Sequence, residues 1–227
     1  MTRIFWSIPL PAKPESMLTV SNWGVLTTNF AAIGVPVAVM SLLLICGHVD
    51  LSIGSNIGFA GTITALASIN LGLPDGAAIA FGVGAGAFAG LVNGTLCSIL
   101  RFNPIIVTLG MLGVLRGSSL LINSRENYGL RPLFNTIANG DIFGIPILLW
   151  IVGVAFAGTA AFIRFTVWGR HIYAIGVNPQ AAFLAALPVR GLPFALYIAT
   201  GAAAGVAGVM LTARLDGASP GFLGLQM

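Results

Sequence analysis

One ionisable side chain, that of Asp50, stands in an otherwise uncharged stretch of the sequence. Between Glu15 and Asp75 it is the only Asp, Glu, Lys or Arg. A charged side chain at the centre of a bilayer costs about 2.5–3.5 kcal/mol on insertion scales, so such a carboxylate needs a loop, a helix N-terminus or a polar cavity. Two roles are open. Asp50 or Ser52 caps a helix that starts near Ile53, or both residues line a polar path where a helix is broken.

Arg116 is a second ionisable residue in apolar surroundings. It lies within the segment Ile105–Ile122. Near the end of a membrane span its long side chain can reach the headgroup region. Inside a helix bundle it would instead need an anionic partner, and Asp50 is a candidate. Asp50, Ser52 and Arg116 are therefore the candidates for a polar path or a helix cap.

The sequence lacks the residue patterns of nucleotide binding, metal binding and side-chain catalysis. Its one lysine, Lys13, is not part of a Gly-Lys-Ser/Thr motif. The two histidines, His48 and His171, are far apart, and no nucleophile stands beside a base. Cys46 and Cys97 lie in apolar runs without metal-like spacing and are expected to be small buried side chains. We therefore expect neither an enzyme nor a chain with a cofactor or metal of its own.

The composition is that of a membrane protein. Of the 227 residues, 57% are hydrophobic and only 7% are charged, whereas soluble domains carry about 25% charged residues. So few charges cannot cover a water-facing surface, and a lipid bilayer is the expected surrounding. The net charge of +4 comes from scattered arginines without a basic cluster, so it does not indicate nucleic-acid binding.

Uncharged segments of membrane-spanning length recur along the chain. About 20 helical residues cross a hydrocarbon core of ~30 Å. The sequence predicts an all-α, polytopic transmembrane helical bundle with about six spans, formed by residues 22–227 after a short N-terminal segment, residues 1–21. The predicted spans are 25–46, Leu51–Pro74, Gly76–Leu100, Ile105–Ile122, Ile142–Ile163 and Gly191–Ala213.

Glycines spaced four residues apart mark one face of several predicted helices. They are Gly82, Gly86, Gly90 and Gly94, with shorter pairs at Gly54/Gly58, Gly113/Gly117 and Gly201/Gly205. Small residues let helix backbones approach closely in lipid, where there is no hydrophobic drive for helix association. The pattern predicts Gly-rich helix packing, or else a face that slides or lines a path.

Residues 164–190 are expected to form a cytoplasmic loop that contains a short helix. The loop carries three arginines and no acidic residue, and cytoplasmic loops are enriched in positive charge. Asn178 is a favourable N-cap and Pro179 suits the first turn, while Pro188 ends a helix of about nine residues, ~13 Å long. This alanine-rich helix either rests on lipid headgroups or docks in the groove of a partner.

Three motifs, in order along the chain, resemble those of ribose-type sugar ABC importer permeases. The segment Asp50–Ser55, Asp-Leu-Ser-Ile-Gly-Ser, is similar to that family's Asp-Leu-Ser-Val-Gly-Ser signature. Asn103–Gly110 looks like the family's next landmark, and Gly169–Gly176 like the stretch that leads into its ATPase-coupling loop. The resemblance covers about Asn22–Gly224.

The resemblance implies a permease subunit that forms the translocation path for a monosaccharide or similar polar solute. A separate ABC ATPase would use the ATP, an extracytoplasmic solute-binding protein would deliver the solute, and a second permease subunit would complete a homo- or heterodimer in the bacterial plasma membrane. The implied ATPase-coupling residues are Asn178, Pro179, Ala181, Ala182, Phe183, Ala185, Ala186 and Pro188.

The chain departs from the family pattern at two residues and at both ends. His48 and Ala186 stand where the family usually has glycine, and the family's additional helices lead us to expect a chain truncated at both ends. Two alternatives to the importer subunit stay open. One is a secondary transporter or channel without an ATPase, which would use an intramembrane charge for ion coupling. The other is a structural remnant of a permease.

Overall fold

The computed structural model describes residues 20–122 and 127–218, so nearly all of the predicted N-terminal segment lies outside the described ranges. The described chain is almost entirely helical, with short π-helical turns at Leu66–Asn70 and Thr95–Ile99. The helices are α1 Val20–Ile45, α2 Ile53–Ala65, α3 Asp75–Gly94, α4 Pro104–Ile122, α5 Pro132–Asn139, α6 Ile147–Phe165, α7 Val167–Val177, α8 Pro179–Leu184 and α9 Gly191–Arg214.

Four two-residue strands lie in the connections between the helices and after the last helix. They are β1 Asn127–Tyr128, β2 Asp141–Ile142, β3 Ile145–Pro146 and β4 Gly217–Ala218. Strand β1 pairs antiparallel with β4, and β2 pairs antiparallel with β3. The fold is therefore all-α, as predicted, with these strands only fastening the connections.

Four helical segments are long and apolar enough to cross a membrane: Asp75–Ile99, Pro104–Ile122, Ile147–Phe165 and Gly191–Arg214. The described part of α1 adds a shorter apolar helix, Phe30–Ile45. These helices confirm a polytopic membrane bundle. Pro104–Ile122, which contains Arg116, is thus also long and apolar enough to cross a membrane.

The predicted span Leu51–Pro74 does not meet that criterion of length and composition. Its helix and π-helical turn run from Ile53 to Asn70, and they are not among the four membrane-length apolar segments. Polar side chains lower the hydropathy of this element and are buried within the bundle. They are Asn56, Thr62, Thr64 and Ser68.

Helix α9 is the centre of the described bundle. In its most apolar stretch 61% of the residues are buried, against 6% in α6. Helices α1, α2 and α3 all pack on α9. Helix α6 packs on α1 instead, which leaves most of its surface apolar and exposed, as expected of a helix that faces lipid.

The glycine face of α3 packs directly against α9. A Cβ atom on Gly86 would lie 2.5 Å from the carbonyl oxygen of Gly201, and one on Gly205 would lie 2.7 Å from the Cα atom of Val83. A Cβ on Gly90 would meet the carbonyl oxygen of Tyr197. Such close approach of two backbones requires glycine, so the prediction of Gly-rich helix packing is confirmed for this pair.

The glycines of α4 behave differently from those of α3. A Cβ atom on Gly110, Gly113 or Gly117 would meet nothing within 4 Å. The predicted packing role is therefore not met for Gly113/Gly117 within the described chain, and this face of α4 is open.

The connection between α4 and α6 covers one end of the bundle. Phe134 of α5 is fully buried against the ends of α3 and α9. The guanidinium of Arg131 donates a hydrogen bond of 2.7 Å to the carbonyl of Gly72 and lies 4.0 Å from the carboxylate of Asp75. This connection therefore ties down the turn between α2 and α3, at the end of the bundle opposite α7 and α8.

Candidate functional site

Asp50, Ser52 and Asn93 form a buried polar cluster between the start of α2 and the end of α3. The three residues are at most 1% exposed. The Asp50 carboxylate accepts hydrogen bonds from the Ser52 backbone N–H at 2.9 Å and from the Ser52 hydroxyl at 2.6 Å. The Asn93 side-chain amide donates to Ser52 Oγ at 2.8 Å and lies 3.4 Å from Asp50 Oδ2. The cluster supplies the donors that a buried carboxylate requires.

The side-chain cap predicted for α2 is not formed. Ser52 occupies the N-cap position, but its side chain makes no capping hydrogen bond. Its backbone has ψ near −6°, whereas a side-chain cap normally uses extended backbone at this position. The Asp50 carboxylate bonds Ser52 rather than the first helical N–H groups. The alternative, that Asp50 and Ser52 line a path, stays a prediction.

The predicted pairing of Arg116 with Asp50 is wrong. Asp50 is enclosed by its own loop and by α3, whereas Arg116 is exposed on α4. The one salt bridge among the described residues joins Arg131 and Asp75. Since Arg116 lies on an exposed face of a membrane-length helix, its reach toward the headgroups stays a prediction.

A second contact links the loop before α2 to the central helix α9. The Tyr197 hydroxyl donates a hydrogen bond of 3.2 Å to the carbonyl of Val49. The rings of His48 and Tyr197 are perpendicular, with centroids 5.7 Å apart. Burial lowers the pKa of His48. The loop is thus fixed to both α3 and α9.

Sequence reasoning missed Asn93 and Tyr197 as partners of this loop. An amide inside a glycine-rich span is a usable signal, because polar side chains in membrane helices commonly bond across helices. Tyr197 offers no such local signal, since its role depends on where α9 packs. The two cysteines are buried and free, as predicted.

Residues 164–190 form two short helices rather than one. The Thr166 hydroxyl accepts from the Gly169 N–H at 3.1 Å and caps α7, which was not predicted. Asn178 Oδ1 accepts from the Ala181 N–H at 3.0 Å and caps α8, with Pro179 in the first turn. The predicted start of α8 is therefore confirmed.

The predicted end of α8 is wrong, because the helix has six residues rather than about nine. Ala186 adopts φ 56°. The Leu187 N–H donates to the Ala182 carbonyl and the Ala186 N–H to the Phe183 carbonyl, each at 3.0 Å. This is the hydrogen-bond pattern of a Schellman C-cap. The helix thus ends by its own backbone geometry before Pro188 is reached.

Helix α8 has one buried and one exposed side. Ala182 is 3% exposed and packs in a cluster with Leu42 and Ile172. Phe183 and Leu184 are 63% and 86% exposed. Because Ala182 is almost fully buried, a larger side chain there would require its neighbours to move. The small residue anchors the helix while its neighbours present an apolar surface.

The loop is also anchored to the end of α1. A Cβ atom on Gly176 would clash with the carbonyl oxygen of Ile45, so glycine is required where α7 crosses α1. Rigid attachment of this kind suits an element that transmits a movement. No group of three metal-ligating side chains occurs in the described ranges, so the site's residues offer docking and hydrogen bonding.

Comparison with known proteins finds an ABC transporter permease and an import system permease. The chain is 35% identical over 209 residues to the L-arabinose ABC transporter permease protein AraH of Azospirillum brasilense. It is 32% identical over 199 residues to the Autoinducer 2 import system permease protein LsrD of Escherichia coli strain K12. These alignments cover 89% and 85% of the chain. The chain spans about 60% of the length of each relative.

No solved structure matches the chain. Residues 24–227 match the protein family described as "Branched-chain amino acid transport system / permease component". That match covers most of the sequence, including every described helix except the start of α1, and the chain belongs to this family of permease components.

Proposed function

We propose that the chain is the transmembrane permease subunit of an ABC importer and forms the translocation path for a monosaccharide or similar polar solute. The similarity to the L-arabinose and Autoinducer 2 permeases supports this solute class. The observation that carries the proposal is α8, a short helix held at both ends and presenting Phe183 and Leu184 to the outside.

The proposed division of labour leaves all chemistry to partners. As a family member with several membrane-length helices, the chain is a multi-pass protein of the bacterial plasma membrane. A separate ATPase hydrolyses ATP and docks on α8, an extracytoplasmic solute-binding protein delivers the solute, and a second permease subunit completes the path. The permease chain itself carries no cofactor and is not an enzyme.

A secondary transporter without an ATPase is the second candidate. The buried carboxylate of Asp50 favours it, because an ionisable residue inside a membrane bundle is a common site of ion coupling. The hydrogen bonds from Ser52 and Asn93 weigh against it, since they already occupy the carboxyl oxygens of Asp50. Dependence on an ATPase separates the two candidates.

The test is co-purification with the ATPase subunit of the same importer. The variant Leu184→Glu places a charge on the exposed face of α8, and we expect at least a tenfold loss of bound ATPase, equivalent to about 1.4 kcal/mol. Phe143→Glu is the matched control, because Phe143 is 94% exposed at the opposite end of α6. Ala182 is unsuitable for this purpose, since a charge at that buried position would disrupt the loop itself.

The amounts of ATPase bound by the two variants and the wild type can also contradict the proposal. If Leu184→Glu retains as much ATPase as the wild type and Phe143→Glu, then α8 is not the docking element. Failure of the wild-type chain to bind any ATPase, together with solute uptake that follows an ion gradient, would favour the secondary transporter.

A further inference from the structure

A cavity of about 510 Å³ lies between α8 and the end of α3. The residues that line it include two arginines, Arg101 and Arg190, and the apolar residues Phe183, Leu184 and Val189. None of the described residues that line it carries a carboxylate. The cavity therefore suits a ligand with an anionic group beside an apolar portion.

Both arginines lie at the ends of membrane-length helices. Arg101 is in the short connection between the segments Asp75–Ile99 and Pro104–Ile122, and Arg190 directly precedes Gly191–Arg214. Their guanidinium groups have no hydrogen-bond or ion-pair partner within the described chain. Charged residues that flank membrane-length helices are expected at the depth of the lipid headgroups.

The backbone fixes Arg101 at this place. Arg101 adopts φ 62°, a left-handed conformation that non-glycine residues rarely keep without support from the surrounding structure. That support comes from the Leu100 and Phe102 N–H groups, which donate to carbonyls of the π-helical turn at 2.9 and 3.0 Å. Nearby, the Ser98 hydroxyl is buried without a hydrogen-bond partner.

The electrostatic field at this end of the bundle favours an anion. Arg101, Arg164, Arg170 and Arg190 are exposed there. The one described carboxylate at the same end, Asp50, is 1% exposed and already hydrogen-bonded. Guanidinium groups bind phosphate through paired, directional hydrogen bonds, and basic pockets between membrane helices recognise anionic headgroups.

We propose that this cavity binds the phosphate-bearing headgroup of an anionic membrane phospholipid. Arg101 and Arg190 hold the phosphate, while Val189 contacts the glycerol and the first acyl carbons. The bound lipid joins α8 to the α3–α4 connection and holds α8 in its position. The volume is far larger than one acidic side chain requires, so a lipid fits better than a partner's carboxylate. This inference goes beyond the proposed transport function and does not depend on the solute.

The test uses the purified full chain in phosphatidylcholine nanodiscs and measures thermal unfolding. Replacing part of the lipid by phosphatidylglycerol should raise the midpoint by about 5 °C, because a ligand that binds the folded state stabilises it. The double variant R101Q/R190Q should lose this rise, and R101K/R190K should keep part of it. The control Arg170→Gln removes an exposed arginine outside the cavity and should behave as the wild type.

Two further measurements distinguish a lipid headgroup from free phosphate as the bound anion. An equal rise with inorganic phosphate alone would show a free-anion site and overturn the lipid assignment. An equal rise in R101Q/R190Q would also overturn it. Should that variant fail to fold, native mass spectrometry of the wild type decides the matter. Retention of phosphatidylglycerol over phosphatidylcholine supports the proposal, and equal retention contradicts it.

Discussion

The carboxylate of Asp50 is tolerated in the bundle because the chain supplies its donors. An ionised group buried without partners costs several kcal/mol or shifts its pKa until it is neutral. Here the backbone and hydroxyl of Ser52 and the amide of Asn93 replace water around the carboxylate. Asp50 thereby fixes the loop before α2 to α3. This structural role is compatible with a place on the proposed translocation path.

The sequence identified Asp50 and Ser52 but not their partner. The side chains of Asp50 and Ser52 interact over two residues, a spacing that is visible in the sequence. Asn93 lies 43 residues from Asp50, and only the packing of α3 brings it near. Long-range partners of this kind cannot be assigned from one sequence without a helix-packing arrangement.

At Ala186 the residue type opposes the backbone conformation. Its φ of 56° is disfavoured for any residue with a Cβ atom, by roughly 1–2 kcal/mol. We predict that Ala186→Gly stabilises the end of α8 by about 0.5–1 kcal/mol, since part of the gain is lost to the flexibility of glycine in the unfolded chain. The Leu187 amide should then exchange its hydrogen about two- to five-fold more slowly, because that amide closes the C-cap.

Ala185 provides the matched control for this substitution. Its φ is −81°, which alanine adopts without strain. Ala185→Gly should therefore destabilise the same turn by about 0.5 kcal/mol through backbone entropy alone. Hydrogen exchange that changes equally in both variants would contradict the proposed strain at Ala186.

At the scale of the element, helix starts were easier to predict than helix ends. Asn178 followed by Pro179 is a local signal, and α8 begins where it indicates. Its end depends on a backbone cap at which alanine stands in place of glycine, so no residue marks it. The span predicted at Leu51–Pro74 misses the hydropathy criterion for a different reason, because α2 carries polar side chains that are buried among other helices.

The close contact between α3 and α9 can be tested by a single substitution. A Cβ atom on Gly90 would meet the carbonyl oxygen of Tyr197, so Gly90→Ala must push the two helices apart. We expect a loss of about 1–3 kcal/mol in the free energy of unfolding, measured by denaturant titration in detergent micelles.

Gly84→Ala is the control on the same helix, because a Cβ atom there meets nothing within 4 Å. That variant should be neutral or slightly stabilising, since alanine is the better helix former by about 1 kcal/mol. A loss at Gly84 as large as that at Gly90 would mean that glycine acts through helix flexibility rather than through close packing.

At the scale of the whole molecule, the exposed carboxylates and most of the exposed arginines among the described residues lie at opposite ends of the bundle. The described exposed or partly exposed carboxylates, from Asp75, Asp141 and Asp216, lie at the end covered by α5. The opposite end, with α7 and α8, carries exposed arginines and no exposed carboxylate among the described residues. The bundle of membrane-length helices and the charge difference between its ends can be predicted from the sequence alone. Both depend on hydropathy and charge along the chain rather than on side-chain contacts.

This asymmetry predicts the orientation of the chain in the membrane. By the excess of arginine, the end with α8 faces the cytoplasm, where an ATPase is available. Two single-cysteine probes test it with a membrane-impermeant maleimide. Phe143→Cys lies on the exposed β2–β3 turn and should react in intact cells, whereas Gln180→Cys on α8 should react only after the membrane is opened.

The native cysteines do not obscure this result, since Cys46 and Cys97 are 2% and 4% exposed and the parent chain measures their residual labelling. Labelling of Gln180→Cys in intact cells, with protection of Phe143→Cys, would invert the topology. A helix α8 on the outer face could not meet a cytoplasmic ATPase, so that result would overturn the proposed coupling even if the packing of every helix were as described. The orientation is thus the property of the whole molecule on which the function assigned to α8 depends.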